Sequence, residues 1–308
     1  MPRVSIITAT YNRPEVLRWA IECVRAQTYT DWEHIIVGDA CAADTEALVR
    51  GVGDSRLRFF NRETNAGEQS GPNNDGLALA TGDLVAYLNH DDLWLPDHLE
   101  SLVAGIDALN ADLVFAPPVN VDTLGVPRCG LTHPRLLYKP TQFVPASLWL
   151  LRRTLASELG GWRPSRAIHA TNPSQDFLVR AWRRGARMEC VPHVTALILA
   201  SGGRPNAYVM RDGSQHEALW LAMQADGFRE QLLTRMVLEA ERDATALRRQ
   251  IRGWRGWLKG AVDRLLTAAK LHPDAVRNRL ARKPKGHWIV HLRALRGLPP
   301  LSDQGRPE

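Results

Sequence analysis

Cysteine is scarce in this chain of 308 residues: Cys23, Cys41, Cys129 and Cys190 are the full complement, and no two stand in CxxC spacing. That excludes a zinc ribbon, supplies no disulfide framework and points to a reducing, cytoplasmic compartment. Long apolar runs are missing too, since no stretch approaches the roughly 20 residues that a membrane span requires. Met1-Pro2-Arg3 leads straight into a strand pattern, so no secretory leader is expected. Two glycine signatures are also absent. Without GxGxxG after the first strand or GxxxxGK[ST] anywhere, the dinucleotide-binding and P-loop classes lose the turns with which they grip phosphate. No internal repeat or low-complexity tract is present.

What is there is enough apolar material for one large core or two modest ones, 44% of the residues. The net charge of +6 hides an asymmetry: between Leu247 and Arg296 fourteen Lys/Arg face two acids, Asp263 and Asp274, which leaves the rest of the chain net acidic. A mildly acidic body with a basic tail differs from a uniformly basic nucleic-acid binder, and no nucleic acid is expected as a partner.

In order along the chain, Val4–Ala9 is rich in β-branched residues and reads as a buried strand, and Pro14 fits the first turn of a helix whose apolar positions recur from Val16 to Val24. Ile35–Val37 is the next strand and ends at Gly38-Asp39. A polar helix over 43–49, a short strand over 57–60, a turn at Asn65-Ala66-Gly67 and a helix ending before Gly82 lead to the strand Leu84–Leu88. This alternation predicts α/β architecture with a mostly parallel sheet and crossover helices. Past Pro96 a helix over 97–109 and a strand over 112–116 are expected, after which Pro117, Pro118, Pro127, Pro134 and Pro140 break the pattern into loops. Val144–Trp149 is expected as a strand, Thr154–Leu159 and Gln175–Arg184 as helices, Met188–Leu199 as a strand, and everything from Gln215 as helical.

The densest chemistry is in Leu84–Pro96, LVAYLNHDDLWLP, where a buried strand ends on two adjacent carboxylates, Asp91 and Asp92. Open α/β sheets bind ligands outside the carboxyl ends of their strands, and hard oxygen ligands there suit a Mn²⁺ or Mg²⁺ that also touches phosphate. The plain alternative is that the two carboxylates end a strand and open a turn before a helix beginning near Pro96. The ends of three strands, Thr8–Asn12, Gly38-Asp39 and Asn89–Asp92, are expected to meet in one crevice, with Asp39 free to accept from a base N–H or a ribose hydroxyl.

Taken together, VSIITATYNRP (Val4–Pro14), QTYTDWEHIIVGD (Gln27–Asp39), Asn65–Gly67 with NDGLALATG (Asn74–Gly82) and AYLNHDDLWLP (Ala86–Pro96) resemble the successive motifs of glycosyltransferase family 2, inverting enzymes of the GT-A fold. The resemblance implies a nucleotide-sugar half over 1–96 and an acceptor half over 97–210. It puts Thr8, Tyr11, Asn12 and Asn74 at the nucleotide, Asp39 at the base, and Asp91 at the metal as the last position of the family's DxD motif. Asp92 would be a helper ligand or a structural neighbour. The motif departs here, reading NHD with Asn89 first, and Asn73 stands where the family commonly has a basic residue.

In the second half, Gln175-Asp176 before FLVRAWRRG resembles the family's Glu-Asp motif, with the family-like RRTLASELGGW upstream, and implies Asp176 as the general base. Asp176 equally suits a helix N-terminus through the macrodipole. The loop Ser201–Asn206 offers Arg204, either as the cation missing at Asn73 or as an ordinary solvated side chain. His193 and His216 flank this region, and a lone histidine is more often structural than a ligand.

Residues 211–308 read as a helical, basic region in which Ile251–Lys259 interleaves tryptophan with cations. Two readings stand: an interfacial helix on an anionic leaflet beside a lipid-linked acceptor, or a helix packing its apolar stripe on the domain or a second subunit. The resemblance implies a metal-dependent inverting glycosyltransferase with a nucleotide-diphosphate sugar donor and a glycan or lipid-linked acceptor. The alternative is a catalytically silent domain of the same fold that binds nucleotide-sugar or glycan, or acts as a scaffold.

Overall fold

The computed structural model describes residues 1–130, 136–169, 172–250 and 254–301. Pro134 and the first three residues of the tryptophan-cation stretch, Ile251–Gly253, lie outside these residues.

The first half alternates as expected: β1 (Val4–Thr10), α1 (Pro14–Arg25), β2 (Trp32–Gly38), α2 (Ala43–Gly51), β3 (Leu57–Asn61), α3 (Ser70–Leu79) and β4 (Leu84–Tyr87). Pro14 opens α1, and Val16, Leu17, Ala20, Ile21 and Val24 form its buried face, as the 3.6-residue period requires. β2 is buried along its whole length and β1 almost so, because helices cover both faces of a parallel sheet.

β5 (Leu93–Trp94), α4 (His98–Ala108) and β6 (Leu113–Phe115) follow, then two short strands, β7 (Val119–Val121) and β8 (Pro127–Cys129). β9 (Trp149–Arg152), α5 (Arg153–Glu158), α6 (Pro173–Arg183), β10 (Met188–Cys190) and β11 (Ala196–Leu199) complete the sheets. The main sheet runs β10-β6-β9-β4-β1-β2-β3, and a smaller one runs β5-β11-β7-β8. β1 pairs in parallel with β2 on one side and β4 on the other. The chain therefore builds outward from β1 to β3 and then returns to β1's other edge, which makes the gap between the ends of β1 and β4 the topological switch point.

Three expectations in the second half change. Val144–Trp149 is a 3₁₀ turn over Ala146–Leu148 followed by β9, because Pro145 has no N–H for a ladder. Met188–Leu199 is two strands in different sheets, since Pro192 interrupts pairing and the chain turns with His193 N–H on the Val191 carbonyl at 2.7 Å. The proline-rich stretch holds the hairpin β7-β8, closed by Asp122, whose carboxylate accepts from Leu124 N–H at 2.8 Å and Val126 N–H at 3.0 Å.

Beyond β11 come α7 (Ala207–Met210), α8 (Ser214–Met223), α9 (Phe228–Gln250), α10 (Trp254–Ala268), α11 (Pro273–Leu280) and α12 (His287–Arg296). This region folds back on the sheet domain. Arg183 Nε on α6 donates to the Lys270 carbonyl at 2.8 Å, Asn278 Nδ2 to the His169 carbonyl at 3.0 Å, and Asn206 N–H to the Leu295 carbonyl at 2.8 Å.

Candidate active site

A cavity of about 300 Å³ opens at the switch point, lined by Ala9–Tyr11 at the end of β1, Asp39 after β2 and Asn89–Asp91 after β4. The three expected strand ends meet there. Asp39 is buried and clamps the turn after β3: Oδ1 accepts from Ala66 N–H at 2.7 Å and Arg62 Nη1 at 3.0 Å, and Oδ2 from Gly67 N–H at 3.0 Å. Burial pushes the Asp39 carboxyl upward, against the pull of these donors.

The adjacent carboxylates point to different tasks. Asp91 lines the cavity with Arg13 Nη1 at 3.5 Å from its Oδ2. Burial raises its carboxyl, but His90, Arg13 and Arg296 outweigh that and hold it below the usual carboxylate range. Asp92 faces inward and accepts from Ser147 Oγ at 2.5 Å, Asn89 Nδ2 at 2.8 Å and Leu199 N–H at 3.0 Å. These bonds tie β5, β11 and the 3₁₀ turn together. Of the two expected roles for Asp92, helper ligand or structural neighbour, these bonds favour the second, and burial beside the Asp91 charge pushes its carboxyl up.

Other expected nucleotide residues sit apart from the cavity lining. Thr8 is within β1 and shares a 2.9 Å hydrogen bond with the buried His34. Asn12, at φ 45°, accepts from Ala42 N–H at 2.7 Å and fixes the turn after β1. Asn74 pairs with the backbone of Trp162 in both directions, Nδ2 on the carbonyl at 2.9 Å and N–H on Oδ1 at 2.7 Å. Arg204 donates to Gln215 Oε1 at 2.7 Å and the Thr123 carbonyl at 3.2 Å, outside the cavity. Asp176 lies in the first turn of α6, where Asn172 caps the helix by accepting from Gln175 N–H at 2.9 Å. Asn172 and Ser174 line the cavity, while Asp176 Oδ2 accepts from Arg180 Nε at 2.7 Å. His193 pairs with Asp97 at 2.8 Å, and His216 reaches the Asp91 carbonyl at 3.1 Å, so both serve structure.

Two cations line the cavity, and a third is buried behind it beside Asp91. Arg13, inside the Asn12-Arg13-Pro14 turn, is 1% exposed. Arg293 and Arg296 enter from α12, with Trp288 and Leu292 beside them. Tyr208 on α7 stands among these groups, 6.3 Å from the Tyr11 ring and 5.9 Å from the His90 ring. Arg13 was legible as part of a motif. Nothing local to Arg293 or Arg296 distinguishes them from the other cations of the tail.

Among the described residues no three of His, Cys, Asp and Glu gather in metal-ligand fashion, so a cation here would rest on few protein donors. The residues at Asp91 nonetheless fit one. His90 Nδ1 stands 3.3 Å from the Ala9 carbonyl, which places its proton there, and the buried Nε2 has no hydrogen-bond partner. A ring nitrogen oriented by a backbone carbonyl, next to an ionised carboxylate, is a donor set for a divalent ion that takes its remaining ligands from phosphate and water.

A family model described as "Glycosyl transferase family 2" matches residues 5–160. A Campylobacter jejuni relative, the GalNAc(5)-diNAcBac-PP-undecaprenol beta-1,3-glucosyltransferase, is 32% identical over 105 residues, which are 33% of this chain and 34% of that protein. The match spans between 12% and 40% of the length of the first curated relatives. Among solved structures, S. aureus TarS 1-349 in complex with UDP-GlcNAc superposes with a TM-score of 0.56 at 17% identity, covering 76% of this chain and 71% of that one. The Pyrobaculum calidifontis mannosyltransferase PcManGT, in complex with GDP-Man and Mn²⁺, gives 0.52 at 18% identity over 92% and 88%. The fold shared with these proteins is GT-A.

Proposed function

The chain belongs to glycosyl transferase family 2, and from that premise we propose that it transfers a sugar, with inversion, from a nucleotide-diphosphate donor to a hydroxyl acceptor. The observation that carries this reading is the cavity at the β1/β4 switch point, with Asp39 and Tyr11 on one wall and Asp91 on the other. Asp39 and Tyr11 take the nucleoside end of the donor, and the diphosphate lies toward Asp91. Asp91, with His90, would hold a Mn²⁺ or Mg²⁺, which when bound offsets the charge growing on the departing nucleoside diphosphate.

Asp176 is the base in this scheme. It takes the acceptor hydroxyl's proton as that oxygen bonds to the anomeric carbon, while the bond from that carbon to the diphosphate oxygen breaks and its electron pair leaves with the diphosphate. Such help contributes about 10²–10⁴-fold. Its support is position: Asp176 occupies the same helical turn as the cavity-lining Asn172 and Ser174.

For the acceptor, a glycan or lipid-linked glycan is the class we favour, as in the Campylobacter relative's name. No helix among the described residues is long and apolar enough to cross a membrane. α10 offers a different route to lipid, with Val262 and Leu265 exposed among Lys259, Arg264 and the nearby Lys270. It would hold the enzyme at the cytoplasmic face of an anionic membrane.

The purified chain should transfer or hydrolyse sugar from a member of a nucleotide-sugar panel when Mn²⁺ or Mg²⁺ is added, and lose that activity in EDTA. Asp91→Ala should abolish turnover, and Asp176→Asn should lower it about 10²-fold or more with donor binding intact. Full activity in either variant removes that residue from its role. One observation favours a second reading, a silent domain that binds nucleotide-sugar without turning it over: Asp176 Oδ2 is already engaged by Arg180. Tight donor binding with no product across donors and acceptors would select it.

A further inference from the structure

A diphosphate beside Asp91 brings at least two negative charges to a carboxylate that is itself ionised, and one divalent cation cannot balance all of them. Arg204, the expected compensating cation, is turned toward Asp212 and Gln215. The guanidiniums that line the cavity belong to α12, a helix well beyond the matched residues 5–160, while Arg13 stands buried behind Asp91.

Arg296 is anchored by Nε on the Gly202 carbonyl at 2.8 Å. A side-chain carbon placed on Gly202 would stand 3.0 Å from both Arg296 Nη2 and Asp91 Oδ2, so the guanidinium and the carboxylate face each other across one glycine. Arg13 approaches Asp91 from within the domain, buried, with Nε and Nη1 lacking hydrogen-bond partners. Both guanidiniums lie over the Tyr208 ring, at 5.1 Å for Arg13 and 5.3 Å for Arg296, which fixes their planes. Arg293 holds α12 in place by donating to the Gly67 carbonyl at 2.7 Å and the Pro299 carbonyl at 2.8 Å.

We propose that Arg296 forms the diphosphate-binding edge of the donor cavity, backed by the buried Arg13 charge behind Asp91, so that the C-terminal helix completes a site the family-matched residues leave short of positive charge. The proposal rests on the glycosyltransferase reading above. A guanidinium held by one N–H and offering others in a fixed plane is suited to bidentate phosphate recognition, and the Arg13 charge behind Asp91 offsets part of that carboxylate's repulsion for phosphate.

Calorimetric titration of the full chain with UDP, GDP, ADP and TDP, and with the four matching nucleosides, tests this. For the diphosphate that binds wild type best, Arg296→Gln should raise Kd about 10–100-fold, and Arg296→Lys should recover part of the loss. The Kd of the matching nucleoside should stay within about twofold, because only the phosphate contact is removed. Unchanged diphosphate affinity in Arg296→Gln overturns the proposal and leaves the glycosyltransferase reading standing. Equal weakening of nucleoside and diphosphate, in both variants, also overturns it by assigning Arg296 to the cavity's shape. If none of the four diphosphates binds wild type, both the proposal and the reading beneath it fall.

Discussion

Asp91 and Asp92 are chemically identical neighbours with opposite employment, and their partners explain why. Asp92 accepts three hydrogen bonds, two of them from the buried Ser147 Oγ and Leu199 N–H. Its replacement by alanine leaves Ser147 Oγ, Asn89 Nδ2 and the Leu199 N–H short of an acceptor. We expect Asp92→Ala to lose about 3 kcal/mol in denaturant unfolding, with Asp92→Asn losing less because its amide oxygen still accepts. Ser147→Ala added to Asp92→Ala should then cost little more, a non-additivity that separates this network from independent contacts. Full additivity would count against it. A sequence in which two aspartates follow each other carries no mark of which one turns inward, so the sequence left Asp92 between helper ligand and structural neighbour. Thr8 teaches the same lesson. Thr8 sits inside β1 against His34, whereas Ala9, Thr10 and Tyr11 at the strand's C-terminal end reach the crevice, so distance from that end decides which residues line it.

Elements read well where their period was long and their ends were punctuated. The units from β1 to β4 each had an apolar run, a turn residue and a helix start. The strands of the second half have two to four residues, too short for any period to declare itself, and prolines conceal the hairpin β7-β8. The tail posed another difficulty: α10 and α12 share a basic, amphipathic composition, yet α12 walls the cavity while α10 keeps Val262 at 42% and Leu265 at 72% exposure. Only tertiary placement separates them. Exposed apolar residues among cations should bind anionic lipid, each nearby Lys or Arg adding about 1 kcal/mol. The full chain should sediment with phosphatidylglycerol vesicles, fail to do so with phosphatidylcholine, and release as salt rises. Leu265→Asp should weaken that binding; sedimentation unaffected by Leu265→Asp would transfer the contact to another surface.

For the molecule as a whole, buried histidines limit its tolerance of acid, and His34 and His98 are displaced furthest. Burial holds His34, beside Thr8, and His98, against the Trp94 ring, down to about 3 from the ordinary 6.5. Between those values the unfolded chain binds protons that the folded chain refuses, so stability is full above pH 6.5 and falls as pH drops toward 3. The slope should approach about 1.4 kcal/mol per pH unit for each histidine. Urea unfolding at successive pH values should show this, and His34→Gln should make the slope shallower. An unchanged slope in His34→Gln would place the acid sensitivity elsewhere.

The last wall of the cavity has a consequence in time. Synthesis from the N-terminus delivers Asp39 and Asp91 long before α12, so the parallel sheet and its crevice can form while the fourth side is still open. An unfinished chain therefore has the strand ends without Arg293, Arg296 and Trp288 across from them. The cavity closes only when the sequence has come full circle, and a chain cut short before α12 would display its motifs and keep little grip on what they are meant to hold.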